Sequence, residues 1–335
     1  MDHSHYISLL KKAQDSEESH SYFSAAIYYK DALEEAVKLQ NSPYIKLCKN
    51  KLVEMNEKSL SGEEFKEVEV TYELSPKEQT SLKLFIESFL KIDNKQETLS
   101  RIGLHPYLMP KVKEIKTTAG NTMPVSYQFV TLASISEEGH SIKGGSVAAD
   151  SWYMQMYDLY LKNIMSMSLS KIFYILINDN PFSTNMSYKD FETFISKFKF
   201  INKKRVKIIL TGMKSYFEKD YVSALHILVP QFESLILDIA KNNKLDVVAV
   251  DRKVIATRPI ILSENHLDSP DFKRIFSEDF CAQIKFVLFE PLGFRLRHKI
   301  AHGEITFNEC NFQNTTLVLY LYLALLSRQN LSTNK

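Results

Sequence analysis

Five residues near the C-terminus combine the side chains that phosphodiester chemistry without a metal requires. They lie within eight consecutive positions and are Arg295, Arg297, His298, Lys299 and His302. Histidine titrates near physiological pH and can therefore donate and accept protons. Arginine stays charged, and its planar set of donors matches phosphate oxygens. The segment is therefore a candidate active site that acts on a phosphodiester.

The residue types suggest a division of roles within this segment. His302 is a candidate general base or acid, and His298 is a candidate second proton carrier or a group that orients Arg297. Arg297 can stabilise charge that develops on a phosphoryl oxygen. Arg295 and Lys299 are candidates for substrate binding through the flanking phosphates.

Helix geometry leaves two arrangements open for this segment. At about 100° per residue, Arg297 and His302 are about 140° apart on an ideal helix, whereas His298 and His302 share one face. One solution is that the helix unwinds before His302, with Gly303 as the C-cap. The other is that the site borrows residues across a dimer.

Two other interpretations apply to the same residues, a structural role and a metal site. Basic side chains in the last turn of a helix are favoured by the helix dipole alone, so a purely structural role is an alternative. His298 and His302 also have the i, i+4 spacing of a zinc-binding pair. However, no glutamate follows His298 as in the HExxH motif, and the flanking arginines would repel a cation. We therefore expect no metal and no cofactor.

Two residues on a preceding helix are candidates for orienting His302 from behind. His226 and Glu233 are seven positions apart on the flank of an apolar stripe, and such partners often hold a catalytic imidazole in place. A partly buried polar edge is the alternative. The basic and aromatic run over residues 197–207 is typical either of an RNA groove or of solvated helix ends around a loop.

Composition restricts the class of protein. The chain has 335 residues, of which 44% are hydrophobic and 24% charged, as in soluble globular proteins. Glycine occurs only 9 times, which favours helices, and the net charge of +2 is too small for a protein coated in nucleic acid. Any RNA must therefore bind at a local patch. Cys48, Cys281 and Cys310 are far apart, which indicates a reducing compartment and no cysteine-based zinc site.

Targeting signals are not evident. The N-terminal residues lack the basic-then-apolar order of a signal peptide. The apolar stretch over residues 316–326 has about half the length needed to span a bilayer. We expect a cytoplasmic protein with no membrane partner.

Periodicity predicts a mainly α-helical protein in three regions. Residues 1–60 are expected to form a helical hairpin and a third helix, with a faint likeness to one tetratricopeptide unit. Residues 61–200 are expected to be mostly helical, with a short β segment near 124–136. Residues 201–335 are expected to form a helical domain that is interrupted near 244–270 by a β-ribbon or loop.

Individual helices are predicted from apolar spacing and capping residues. The predicted helices in the second half of the chain are Trp152–Met167, Leu169–Ile177, Tyr188–Phe198, Lys203–Phe217, Tyr221–Asn242, Ser277–Ile300 and Asn314–Arg328. Pro230 is expected to kink one of them, and Pro291 with Gly293 to bend another. Residues 137–145 are expected to be a loop, with Gly144 in an ordinary turn.

The order of these elements resembles the HEPN superfamily over roughly residues 200–328. Two long helices, an insertion, a helix ending in Arg-x4-His and a final apolar helix are typical of it, and Arg297, His298 and His302 match its hallmark. His302-Gly303 is similar to the ending of a family of unknown function named for an Arg-Asn-x-x-x-His-Gly motif. His298 stands where that family has asparagine. Residues 226–233 resemble the helix that precedes the motif.

The resemblance implies a HEPN-like four-helix bundle and a metal-independent endoribonuclease. In such enzymes the motif helices of two protomers meet, so a homodimer with a composite site is implied. The ribose 2′-hydroxyl attacks the adjacent phosphate and leaves a 2′,3′-cyclic phosphate. Many relatives are toxins or antiviral-defence effectors that cut tRNA or mRNA.

Other functions remain open at the level of the sequence. One is a non-catalytic HEPN module that binds RNA or nucleotide, and another is a helical scaffold or adaptor. The N-terminal helices are candidates for recruiting a regulatory protein partner. In one group of toxins a tyrosine two residues after the motif histidine is modified by a partner. Glu304 stands at that position here, which argues against that form of control.

Overall fold

The computed structural model describes residues 3–62, 64, 73–124, 132–135, 141–146, 148–198, 201–251 and 256–333. Helices dominate these residues, so the prediction of a mainly α protein is confirmed. The chain forms two compact units. The first comprises the described residues within 1–73 and 124–151, and the second those within 74–123 and 152–335. The described residues from 201 onward therefore share a unit with earlier helices.

The first unit contains three consecutive helices and one β-hairpin. The helices are α1 (Ser4–Glu18), α2 (Tyr22–Lys38) and α3 (Ser42–Ser61). They pack closely because α2 presents alanines to its neighbours. Ala25, Ala32 and Ala36 are fully buried.

The hairpin corrects one prediction from the sequence. Strand β1 (Leu132–Ile135) lies within the predicted β segment, and it pairs antiparallel with β2 (Ser141–Ser146), where a loop and turn were expected. Gly144 pairs with Ala133 and is not in a turn. The register shifts beside this pair, and glycine is tolerated at such irregular positions because it carries no side chain to misplace. The rest of the predicted segment, 125–131 and 136, lies outside the described residues.

The second unit is built almost entirely of helices. These are α4 (Pro76–Leu90), α5 (Lys95–Leu104), α6 (Val112–Thr122), α8 (Met167–Asn178), α9 (Tyr188–Ser196), α10 (Lys203–Phe217), α11 (Tyr221–Asn242), α12 (Glu264–Asp268), α13 (Pro270–Phe276), α14 (Glu278–Leu288), α15 (Leu296–His302) and α16 (Phe312–Thr333). Helix α7 (Ala148–Leu159) begins in the first unit and continues into the second, and a π-helical segment, Tyr160–Ser166, joins it to α8.

Helices α11 and α16 form the centre of the second unit. Residues 315–327 of α16 are all buried, so the apolar stretch in this helix is core. Two buried tyrosines satisfy their hydroxyls across the helix contacts. Tyr322 donates to the carbonyl oxygen of Leu228 at 2.7 Å, and the hydroxyls of Tyr216 and Thr316 are 2.7 Å apart.

One helix within the described residues is long and apolar enough to cross a membrane by length and composition alone. It is α11, Tyr221–Asn242. Its buried residues include Leu225, Phe232 and Ile239, and it packs against α10 and α16. Burial of this kind is what the core helix of a globular unit requires.

The predicted helix Ser277–Ile300 is wrong as a single element. Helix α14 ends at Leu288 and α15 begins at Leu296. Pro291 lacks a backbone donor, so a helix cannot continue through it without losing a bond. Gly293 approaches the chain so closely that an added Cβ would lie 2.1 Å from the carbonyl oxygen of Phe286. The chain therefore breaks here and does not merely bend.

The insertion after α11 contains a second hairpin. Strands β3 (Val248–Asp251) and β4 (Ala256–Pro259) pair antiparallel, which gives a small β-ribbon within the predicted interval. Helix α11 itself runs without interruption through Pro230.

Candidate functional site

Helix α15 is oriented by two apolar residues on one side. Leu296 is 1% exposed, and Ile300 packs against the same core. Residues four apart share a helix face, so these two side chains turn the opposite side of α15 outward. His298 and His302 lie on that outer side, where His298 is half-buried and His302 exposed.

Both ends of α15 have left-handed backbone conformations. Arg295 precedes the helix with φ 54°, and Gly303 follows it with φ 72°. The backbone amide of Glu304 donates to the carbonyl of Lys299 at 2.8 Å, as in a Schellman end. Gly303 is thus the predicted C-cap. His302 is still helical, so unwinding before it, one of the two predicted arrangements, is wrong.

The turn after Gly303 brings a carboxylate back beside the two imidazoles. The rings of His298 and His302 have their centroids 4.2 Å apart. Oε1 of Glu304 lies 3.9 Å from Nε2 of His298. Burial lowers the pKa of His298, and the positive charge of Arg295 and the neighbouring ring of His302 lower it further, while Glu304 acts in the opposite direction.

Arg297 lies on a different side of α15 from the histidine pair. Its Nε donates to Oε2 of Glu233 on α11 at 3.1 Å, and its guanidinium lies 5.9 Å from the ring centre of Phe289. The side chains of Arg297 and Glu233 are 23% and 15% exposed. The other carboxylate oxygen of Glu233 accepts a bond from the backbone amide of Leu262 at 3.0 Å. Glu233 therefore faces the motif helix, but it holds Arg297 and not His302.

The two remaining basic residues are also paired with carboxylates. Arg295 donates to Oε2 of Glu304 at 3.3 Å, and Lys299 donates to Glu309. Burial would raise the pKa of Glu309, but the bonds from Lys299 and from Thr306 outweigh it and lower that pKa. Each cation of the segment thus has its own anion, although none is adjacent to it in sequence.

Sequence reasoning missed two of these anions. They are Glu304 and Glu309, and neither is adjacent in sequence to the cation with which it pairs. A signal for Glu309 exists, because Thr306 and Glu309 have the spacing of a capping box. The backbone amide and the hydroxyl of Thr306 both donate to Oε2 of Glu309.

His226 lies away from the contacts just described. It is exposed, and its Nδ1 is 2.8 Å from the carbonyl oxygen of Val222 one turn earlier in α11. Among the described residues, no hydrogen bond or ion pair joins it to His302. No described contact therefore supports the predicted role of His226 in orienting His302.

The basic and aromatic run at 197–207 divides between core and surface. Phe198 and Ile201 are buried, whereas Lys203, Lys204 and Lys207 are exposed around the start of α10. Phe200 lies outside the described residues. Phe198, being buried, offers no face on which a base can stack, and the pattern fits solvated helix ends.

No protein-family model, curated protein or solved structure matches this chain. Inference about function therefore rests on the residues of α15 and on the motif that they form.

Proposed function

We propose that this chain is a metal-independent endoribonuclease whose site is built on α15. The observation that carries the proposal is the pair of imidazoles, His298 and His302, whose ring centroids lie 4.2 Å apart on the outer side of a helix that also carries Arg297 and Lys299. Two adjacent proton carriers beside phosphate-binding side chains are what cleavage by an internal nucleophile requires. The resemblance to HEPN proteins supports the same reaction.

The proposed reaction needs only groups of the RNA and of the protein. One imidazole removes the proton of the ribose 2′-hydroxyl, and the oxygen attacks the adjacent phosphorus. The bond from phosphorus to the 5′ oxygen breaks, and the second ring, in its protonated form, gives that oxygen a proton. The products are a 2′,3′-cyclic phosphate and a 5′-hydroxyl. His302 and His298 share these two roles.

Arg297 is proposed to stabilise the charge on the phosphoryl oxygens. Its Nε is engaged by Glu233, which leaves the two terminal nitrogens of the planar fork for phosphate. Glu233 is a positioning residue in this scheme, because it fixes the guanidinium without touching RNA. Arg295 and Lys299 are proposed to hold the flanking phosphates.

A homodimer is proposed because Arg297 and the histidine pair lie on different sides of one short helix. A composite site resolves this separation if the motif helices of two protomers meet, as the resemblance implies. RNA such as tRNA or mRNA is the proposed substrate in the cytoplasm, and a toxin or antiviral-defence role is the proposed setting. The three N-terminal helices are proposed to contact a regulatory protein.

The test is RNA cleavage by the full chain in excess EDTA, with total tRNA and an unstructured RNA as substrates. Wild type is expected to leave cyclic phosphate ends, and Arg297→Ala and His302→Ala are each expected to lose at least about 100-fold in rate. Arg205→Ala is a matched control, since Arg205 is also 23% exposed and paired with a carboxylate, Asp238, at 2.9 Å. Cleavage that survives both site substitutions would contradict the proposal.

A non-catalytic module that binds RNA is the second candidate. The ion pair between Arg297 and Glu233 favours this candidate. Glu233 also accepts a hydrogen bond from the backbone amide of Leu262, so a structural role is enough to explain why both residues are present. This candidate predicts RNA binding that is measurable by a gel shift, with no cyclic phosphate product.

A further inference from the structure

Three side chains of the candidate site converge in a way that suits a metal ion. One nitrogen from each of His298 and His302 and one carboxylate oxygen of Glu304 all lie within 4.8 Å of one another. The two histidines are one helical turn apart, and the Schellman turn at Gly303 returns Glu304 to them. Two imidazoles and one carboxylate form the ligand set of zinc sites that keep a fourth position for water.

The candidate ligand atoms are slightly farther apart than they would be around a bound zinc ion, so their side chains must move a little to bind it. Ligand atoms of a tetrahedral zinc site lie about 3.4 Å apart when each bond is about 2.1 Å. Oε1 of Glu304 is already 3.9 Å from Nε2 of His298. His302 and Glu304 are both exposed, so rotation of their side chains can close the remainder without moving the core.

The surrounding charges answer the objection that arginines repel a cation here. Arg295, Arg297 and Lys299 pair with Glu304, Glu233 and Glu309, so three positive charges meet three negative ones. Arg295 bonds Oε2 of Glu304 and leaves Oε1, the oxygen nearer His298, for a metal. The absence of a glutamate directly after His298 does not affect binding, because that residue of the HExxH motif acts as a base and is not a metal ligand. Glu304 supplies the third ligand through the turn.

We propose that His298, His302 and Glu304 bind one zinc ion, and that zinc bound there stops RNA cleavage by occupying the nitrogens that would carry protons. The second half of this proposal rests on the proposed ribonuclease function, and the first half does not. Zinc is the metal class favoured by an imidazole and carboxylate set of three. In this arrangement zinc is an inhibitor and has no part in the reaction.

The metal site is tested with cobalt as a spectroscopic substitute for zinc. Full-length protein is stripped with EDTA, desalted and titrated with Co²⁺, and zinc is then added to displace it. His302→Ala and Glu304→Gln are each expected to weaken binding by at least about 10-fold, the loss that even an outer partner of a metal ligand causes. Visible bands of tetrahedral cobalt are expected to saturate at one equivalent in wild type.

Glu309→Gln is the matched control for charge. It removes one carboxylate from the same loop, yet Glu309 bonds Lys299 and Thr306 and is not one of the three proposed ligands. It is expected to bind cobalt within about threefold of wild type. Equal binding by all these proteins would overturn the site, and so would an equal loss in Glu309→Gln and Glu304→Gln. Circular dichroism of each variant shows that the helices are intact.

The inhibitory role has its own measurement. Zinc-free wild type is expected to cleave RNA, and protein loaded with one equivalent of zinc is expected to lose that activity and recover it on addition of EDTA. Equal cleavage by both forms, with the cobalt site filled, would overturn inhibition. A zinc-free protein that does not cleave would count against the ribonuclease itself, and the cobalt titration would then decide the metal site alone.

Discussion

The ion pairs of the site differ in how much they contribute to the stability of the folded protein. The side chains of Arg297 and Glu233 are 23% and 15% exposed, whereas those of Arg295 and Glu304 are 23% and 41% exposed. A carboxylate that is shielded from water and accepts two hydrogen bonds is costly to neutralise. An exposed pair is screened by water and contributes little.

This contrast predicts the effect of Glu233→Gln on stability. The substitution keeps the shape but leaves the Arg297 guanidinium without its anion, so we expect a loss of about 1–3 kcal/mol in the free energy of unfolding. Urea denaturation of the full chain measures it. Glu304→Gln, which makes the same chemical change in the exposed pair, is expected to cost less than about 1 kcal/mol. Equal losses would show that the Glu233 pair has no special structural weight.

Among the secondary structure elements, α5 and α16 pack unusually closely because of one glycine. A Cβ built on Gly103 would lie 2.4 Å from the carbonyl oxygen of Leu323 and 2.8 Å from Oγ of Ser327. Arg328 of α16 also donates to the carbonyl of Gly103 at 2.7 Å. The position therefore needs the smallest residue, even though glycine weakens a helix.

Gly103→Ala is expected to destabilise the protein by about 1–3 kcal/mol, because the obstructing atom is backbone and cannot rotate away. Gly120→Ala is the control, since Gly120 also lies in a helix but meets nothing within 4 Å. There the gain in helix propensity is expected to stabilise by about 0.5–1 kcal/mol. Thermal unfolding is expected to show a lower melting temperature for Gly103→Ala and a higher one for Gly120→Ala. Shifts in the same direction would contradict the packing argument.

The start of α9 contains a carboxylate that links two helices. Asp190 accepts bonds from the amide of Ser187 at 2.8 Å and from its hydroxyl at 2.7 Å, and Lys95 of α5 donates to it at 3.2 Å. Burial raises the pKa of Asp190, but these bonds and the charge of Lys95 lower it more, so the net shift is downward. A carboxyl with a lowered pKa in the folded state stabilises that state only while it is ionised.

This downward shift predicts a pH-dependent effect of Asp190→Asn. Stability from Asp190 is complete above its unfolded pKa of about 3.9 and is lost as the pH falls through the lower folded value. At neutral pH the variant is expected to lose about 1–2 kcal/mol, and the difference from wild type is expected to shrink in acid. Urea denaturation at neutral pH and near pH ~3 measures this. A difference that is independent of pH would contradict the assignment.

At the scale of the whole molecule, the separation of Arg297 from the histidine pair predicts complementation between inactive variants. If each site combines Arg297 of one protomer with His302 of the other, a mixed dimer of Arg297→Ala and His302→Ala contains one intact site. Half of the dimers in an equal mixture are mixed, and one of the two sites in each is complete, so about one quarter of wild-type activity is expected. Cleavage assays on each variant and on the refolded mixture measure it. A mixture as inactive as its components would show that the site lies within one protomer.

Features that depend on neighbours along the chain are determined by the sequence alone. The apolar spacing along the helices, the proximity of His298 to His302 and the C-cap at Gly303 follow from local backbone preferences and i, i+4 geometry. Contacts between distant segments were decided by the tertiary structure. Glu233 lies 64 positions before Arg297, and only the packing of α11 against α15 brings them together. The sequence of β2 contains glycine, which does not favour a strand. This segment is a strand because it pairs with β1.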